Sequence, residues 1–302
     1  MRSISLAGRF NSTNLHSHEL PKHGMLGVPL PQHLRKTWCR LGTGAVNIFR
    51  QGIDILVNHK NTALITGGSR GIGKAIAIEF AKHDIDVIIT GRNVERLAST
   101  TRILERHNIN SHYIDADIGQ EAGAERICEF IVKNGLEVNI LVNNAAVIHP
   151  RMPLTELPMD DWEEAVNVNL LGAVRLTKML LPNMVTRKWG KIVNISSIGG
   201  RKGTAGRSAY RATKAALISF TESLASEVKG YGIDVNCICP GRVATEGYAE
   251  AFGEEDMQRY SMMDPSEIAT LCHFLVGPRA SAITGAVIDA FGPSNPLFSA
   301  NP

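Results

Sequence analysis

Residues 62–73 read Thr62-Ala63-Leu64-Ile65-Thr66-Gly67-Gly68-Ser69-Arg70-Gly71-Ile72-Gly73. An uncharged run of strand-forming residues enters a glycine-rich turn, and an apolar-periodic stretch, Ile72–Lys82, follows at once. Glycines permit a tight turn and let backbone N–H groups approach a pyrophosphate, while the start of the helix adds a partial positive charge. A glycine-rich turn alone is equally a short strand-to-helix connection, and the spacing T-G-x-x-x-G-x-G departs from the usual fingerprint. What favours a phosphate site is its place, after the first strand of a β-α-β unit.

Outward from this turn, short Val- and Ile-rich runs alternate with helical stretches. Strands are expected at 62–66, 87–90, 111–115, 140–143, 191–196, 234–238 and 286–289, and helices at 72–82, 94–106, 122–133, 160–184, 209–229 and 265–275. The strand runs are continuously apolar rather than alternating, as in strands covered on both faces. Strict alternation predicts an α/β fold: a Rossmann-type, doubly wound, parallel seven-stranded sheet with helices on both faces and right-handed crossovers. No repeat and no second boundary interrupt it, so 59–302 is expected to be a single domain.

The second strand ends in Gly91-Arg92-Asn93, with Arg92 placed 19 residues after Gly73. An acidic residue there would hold a ribose 2′-hydroxyl, whereas a guanidinium forks onto a 2′-phosphate. With Arg70 in the turn, NADP(H) is expected over NAD(H); two solvated surface arginines are the plainer alternative.

Tyr210-Arg211-Ala212-Thr213-Lys214 opens a long helix, and the i, i+4 spacing puts the Lys214 ammonium on the face of the Tyr210 phenol. A free phenol has a pKa near 10; lowering it by about three units requires roughly 4 kcal/mol of phenolate stabilisation. A close ammonium can contribute. Ser197 ends the strand thirteen residues before Tyr210, at the carboxyl edge of the sheet. A hydroxyl there can hydrogen-bond a carbonyl oxygen as it gains charge.

From about residue 60 to 292 the chain resembles a short-chain dehydrogenase/reductase, most closely the 3-oxoacyl-[acyl-carrier-protein] reductase-like branch. The matching motifs, in order, are Thr66–Gly73, Asp117, Asn143-Asn144-Ala145-Ala146, Asn169 in Val168-Asn169-Leu170-Leu171-Gly172, Ser197, Tyr210/Lys214 and Pro240-Gly241. Ala146 stands where the family usually has Gly. The resemblance implies a catalytic set of Asn169, Ser197, Tyr210 and Lys214. Tyr210 would be the general acid in reduction and Ser197 would polarise the carbonyl. Lys214 would lower the phenol pKa and hold the nicotinamide ribose, and Asn169 would anchor a proton-relaying water. Cofactor contacts are implied at Thr66, Gly67, Ser69, Arg70, Gly71, Ile72 and Gly73. Others are implied at Arg92, Asp117, Ile118, Asn144 and Ala145, at Tyr210 and Lys214, and along Pro240, Gly241, Val243 and Thr245. Asn143 would support the sheet beside them. A homo-oligomer, dimer or tetramer, is implied as well.

The activity this suggests is NADP(H)-dependent reduction of a ketone, or oxidation of the matching alcohol. The segment Thr245–Asp264 is expected to form a short substrate-side lid, apolar through Tyr248, Phe252, Tyr260, Met262 and Met263, opposite His149 and Arg151. A 3-oxoacyl thioester, a steroid, a sugar or another small ketone remain open. Basic Arg201, Lys202, Arg207 and Arg211 would suit an acidic carrier protein, but Ser226 stands where carrier-protein reductases often have Arg. A catalytically idle NADP-binding sensor or scaffold is the alternative of another class.

Composition narrows the remaining classes. The 302 residues are 44% apolar and 20% charged with 28 Gly and 13 Pro, which excludes collagen-like, disordered and disulfide-scaffold chains. No run approaches the roughly 18 apolar residues of a membrane span. Five cysteines, an odd and sparse set, suit a reducing compartment: the cytoplasm, or an organelle matrix. The net charge of +3 is uneven, because residues 1–58 hold seven Lys/Arg against Glu19 and Asp54 while the remainder is slightly acidic. That acid-poor extension, with helical spacing from Leu34, reads as a transit peptide, as an accessory or disordered segment, or as a start placed before Met25. No segment interleaves basic and aromatic residues as a nucleic-acid groove would. Cys237 with Cys239, and Cys272 with His273, are expected to pack rather than to bind metal.

Overall fold

Strand β1 (Thr62–Thr66) is buried from Ala63 onward, and its side chains part to two faces: Ala63 and Ile65 enter one apolar cluster, Leu64 the other. The computed structural model describes residues 60–292, and the same division repeats across its sheet. In β2 (Asp86–Gly91), Val87 and Ile89 face the first cluster and Ile88 the second; in β4 (Ile140–Asn143), Ile140 and Val142 oppose Leu141. Strands clad on both sides need apolar residues at every position, which is why the runs read as continuous.

The remaining strands are β3 (Ser111–Asp115), β5 (Gly190–Ile195), β6 (Ile233–Pro240) and β7 (Val287–Ala290). The sheet order is β3-β2-β1-β4-β5-β6-β7 and every pair is parallel. The expected seven-stranded doubly wound sheet is therefore present, with β6 running on to Pro240 beyond its expected end.

On one face lie α1 (Gly71–Lys82), α2 (Val94–Leu104) and α9 (Pro265–Val276), which supply Ile76, Phe80, Leu97, Leu104, Ile268 and Leu275 to the first cluster. On the other lie α3 (Glu121–Lys133), α5 (Gly172–Arg187) and α6 (Ser208–Val228), which contribute Ile127, Leu176, Leu180 and Leu224. The helix expected over 160–184 is interrupted. It begins as α4 (Met159–Val166), widens into a π-helical turn at Asn167–Leu171, and resumes as α5. The expected lid contains two short helices, α7 (Glu246–Phe252) and α8 (Glu254–Arg259), divided by Gly253 at φ +84°.

The order in which strands are added switches side between β1 and β4, and the cleft beyond their carboxyl ends is where doubly wound sheets bind ligands. Among the described residues no helix is long and apolar enough to cross a membrane. The basic extension 1–58 and the expectations attached to it lie outside the described residues.

Candidate active site

Thr66 closes β1 and braces the cleft. Its hydroxyl accepts from Asn144 N–H (2.9 Å) and Ala145 N–H (3.0 Å), and Asn144 Nδ2 donates back to Thr66 O (2.9 Å). This clamp joins the carboxyl ends of β1 and β4. Gly67 takes φ +64° at the turn, a conformation that side chains rarely adopt. Gly73 packs so closely that a Cβ would lie 2.3 Å from Gly67 O. Thr66 and Gly73 thus build the turn from behind rather than facing the cavity.

A cavity of about 330 Å³ opens in front of it, lined by Gly67, Ser69, Arg70, Gly71, Ile72, Arg92, Asp117, Ile118, Asn144, Ala145, Tyr210, Lys214 and Thr245. The turn suits a pyrophosphate. Its helix has neither a capping side chain nor an acid in the first turn, which leaves amides for an anion. One of them, Gly71 N–H, already meets an anionic oxygen: Glu246 Oε2 from α7 accepts at 3.1 Å.

The two arginines expected at a 2′-phosphate line this cavity but are engaged. Arg70 Nη1 lies 2.5 Å from Glu250 Oε1, and Arg92 Nη1 lies 3.2 Å from Glu164 and 4.0 Å from Asp117. A third cation, Arg96, stands 4.0 Å from Glu250 and was not among the expected residues. Its signal was available, since Arg96 lies in the first turn of the helix expected from residue 94. Asp117 turns its Oδ1 to Gly119 N–H (2.9 Å), which shapes the loop after β3.

A second cavity, about 310 Å³, adjoins the first and shares Ile72, Ile148, Ser196, Tyr210 and Thr245 with it. Ser197, Pro240, Gly241 and Val243 line this side. Ser197 Oγ accepts from Gly199 N–H (2.9 Å) and lines the second cavity beside the Tyr210 phenol. Burial raises the phenol pKa; the Ser197 hydroxyl and then the guanidinium charges of Arg207 and Arg211 pull the other way. Lys214 Nζ donates to Ile195 O (2.8 Å) and stands 5.8 Å from the Tyr210 ring centroid. Burial lowers the Lys214 pKa to about 8. The structure thus brings Ser197, Tyr210 and Lys214 together, and it adds two arginines as the charges acting on the phenol.

Asn169 sits in the π-turn, buried, with both amide atoms hydrogen-bonded. Oδ1 accepts from Val147 N–H (2.7 Å), while Nδ2 donates to Val147 O (3.1 Å) and Thr213 Oγ1 (3.2 Å). It joins the loop after β4 to α6 and lines neither cavity. Asn143 donates to Thr177 Oγ1 (3.2 Å) and Asn194 Oδ1 (2.8 Å), a polar rung inside the core.

The expected lid is corrected in part. Tyr248, Phe252 and Arg151 line the second cavity, whereas Met263 is buried in the core in a bridge to Val243, and Tyr260 lies under Arg242 at 3.7 Å. His149 faces Glu164 (3.2 Å) instead. Cys237 and Cys239 are buried with sulfurs 4.0 Å apart, and Cys272 is in the core. Among the described residues one grouping has metal-ligand types, Glu79, His83 and His273 between α1 and α9; its two rings pack edge to face at 3.8 Å, and it lines neither cavity.

A doubly wound sheet with a phosphate-type turn at its reversal point is the frame of dinucleotide-dependent oxidoreductases. Residues 61–256 match the family model for short chain dehydrogenases, and the chain belongs to that family. It is an oxidoreductase acting on CH–OH/C=O groups. It is 37% identical to the 3-oxoacyl-[acyl-carrier-protein] reductase FabG of Aquifex aeolicus over 238 residues, 76% of this chain and 95% of the relative. Among solved structures, a 3-oxoacyl-[acyl-carrier protein] reductase with bound NAD from Brucella melitensis is 33% identical at TM-score 0.69, covering 78% of this chain and 91% of its own. The L-sorbose reductase of Gluconobacter frateurii, complexed with NADPH and L-sorbose, is 29% identical at TM-score 0.73, covering 77% and 95%.

Proposed function

We propose that this chain reduces a ketone to a secondary alcohol with NADPH, or runs the reverse oxidation. The observation that carries this is the place of Tyr210, which lines both cavities, with Ser197 beside it in the second and buried Lys214 in the first. A nicotinamide cofactor bound in the first cavity would supply the hydride. Ser197 Oγ, fixed by Gly199 N–H, orients the carbonyl oxygen, and the Tyr210 hydroxyl gives it a proton. Lys214 keeps a cation behind the phenol, and Arg207 and Arg211 add theirs. Asn169 acts as a brace: its amide gives both hydrogens to Val147 O and Thr213 Oγ1 and accepts from Val147 N–H. In the first cavity Arg70, Arg92 and Arg96 favour NADP(H) over NAD(H) through a 2′-phosphate. Relatives with bound NADPH and with bound NAD both exist, so this preference rests on the arginines.

The names of the relatives support two substrate readings, a 3-oxoacyl thioester and a small polyhydroxy ketone. Tyr210→Phe removes the proton donor without altering the phosphate turn. It is expected to lower kcat by about 10²–10⁴ in an NADPH-oxidation assay while NADPH affinity stays nearly unchanged. Near-normal turnover would overturn the assignment of Tyr210.

A further inference from the structure

The second cavity is strongly charged for a ketone pocket. Arg151, Lys202, Arg207, Arg211 and Arg242 line it, and among the described residues no carboxylate does. Arg207 stands out among them. Its Cζ lies 4.4 Å from the Phe252 ring centroid and 5.2 Å from that of Tyr210, so the guanidinium is held between two rings at the reacting end. Its Nη1 is buried with no hydrogen-bond acceptor among the described residues. Burial lowers its pKa, and the neighbouring charges of Arg151 and Arg211 add to that; only the Tyr210 and Tyr248 phenols act the other way. Two acids bonded to nearby residues are engaged elsewhere: Asp256 accepts from the hydroxyl of the cavity-lining Tyr248 (2.6 Å) and Asp289 pairs with Arg201 (3.4 Å).

The backbone repeats the imbalance. Arg207 is the N-cap of α6 and Arg211 lies four residues on, yet this helix start has no capping side chain and no acid in its first turn. Cations at a helix N-terminus oppose the macrodipole, while an anion would satisfy both. A half-buried guanidinium left without a counter-charge is destabilising unless something supplies one. A guanidinium seated beside two rings keeps the planar fork that suits two oxygens of one anion.

We propose that the ketone reduced here carries its own anionic group, a carboxylate or a phosphate, within a few bonds of the carbonyl, and that Arg207, with Arg151 and Arg211, holds it. The proposal rests on the reductase reading above. Because Arg207 lies inside the cavity wall, between Phe252 and Tyr210, its charge meets what enters the cavity rather than a protein docked outside.

The test compares matched pairs with NADPH: straight-chain 2-, 3- and 4-oxo acids against their methyl esters, and dihydroxyacetone phosphate against dihydroxyacetone. At least one charged member is expected to exceed its neutral partner in kcat/KM by roughly tenfold or more, the scale of a charge-assisted hydrogen bond. Whether the acid or the phosphate pair shows it identifies the anion. Arg207→Gln should bring that ratio close to one, whatever it does to both rates through Tyr210. If Arg207→Gln does not fold by circular dichroism, Arg211→Gln should lower the same ratio. Neutral members equal to or better than charged ones in every pair would overturn the proposal. If no ketone is reduced, the reductase reading fails separately. Calorimetry of the same anions with NADP⁺-loaded protein then decides: binding that Arg207→Gln abolishes supports the anion site, and no binding rejects it.

Discussion

At the scale of single residues, Lys214 and Glu250 make opposite kinds of prediction. Lys214 is an ammonium below its pKa of about 8 and neutral above it, because burial penalises the charge. The Tyr210 phenol, raised by burial, stays protonated over that range. Reduction measured as kcat/KM should therefore be level below about pH 8 and fall as pH rises through it. A level profile to about pH 10 would remove the Lys214 charge from the mechanism. Glu250 competes instead of helping, since its carboxylate holds Arg70 at 2.5 Å in the cofactor cavity. Glu250→Gln should free that guanidinium and tighten NADPH binding by up to about fivefold, the most that an exposed ion pair is worth. Fluorescence titration with NADPH checks it; unchanged affinity would count against Arg70 as a phosphate ligand. Tyr210, Lys214 and Ser197 were legible because spacing on a helix and a place at a strand end decide where they sit. The inward turn of Arg207 was not legible, because it depends on the rings of Tyr210 and Phe252, and Phe252 belongs to a helix 45 residues away in sequence.

At the scale of elements, the long periodic segments were readable and the short ones were not. α1, α3 and α6 follow their apolar periods to within a residue or two of the expected ends. α7 and α8 are seven and six residues, too short to show a period, and they sit in a stretch whose apolar side chains suggested a lid surface. The π-turn is likewise silent in sequence, since Asn167–Leu171 looks like ordinary helix. Where elements meet closely, single atoms matter. Gly123 in α3 packs on the loop after β3, where a Cβ would fall 1.9 Å from Asp117 O. Gly123→Ala must push helix and loop apart, which is expected to cost about 1–3 kcal/mol in urea unfolding. It should also weaken NADPH binding by displacing Asp117. An alanine variant with unaltered stability and affinity would show that the contact relaxes freely.

At the scale of the whole molecule, the sheet order decides where chemistry can happen, because the reversal beside β1 opens the cleft and both cavities lie along it. Folding and cofactor binding are therefore linked. NADPH at about 100 times its Kd should add about 2.7 kcal/mol and raise Tm by roughly 5–11 °C for a domain of this size. NADH at the same concentration should do less, and equal shifts in a thermal melt would refute the role given to Arg70, Arg92 and Arg96. The π-turn has a further consequence, for how such a chain can change over evolutionary time. Each residue of a regular helix advances the side-chain direction by about 100°. A π-turn holds one residue more than an α-turn, so losing one from Asn167–Leu171 would close it to regular helix, leaving Leu176, Leu180 and Met184 on the core face while shifting Asn169 against Val147. The apolar packing should therefore tolerate a one-residue deletion at this turn, and what resists one is the brace that Asn169 makes to Val147 and Thr213.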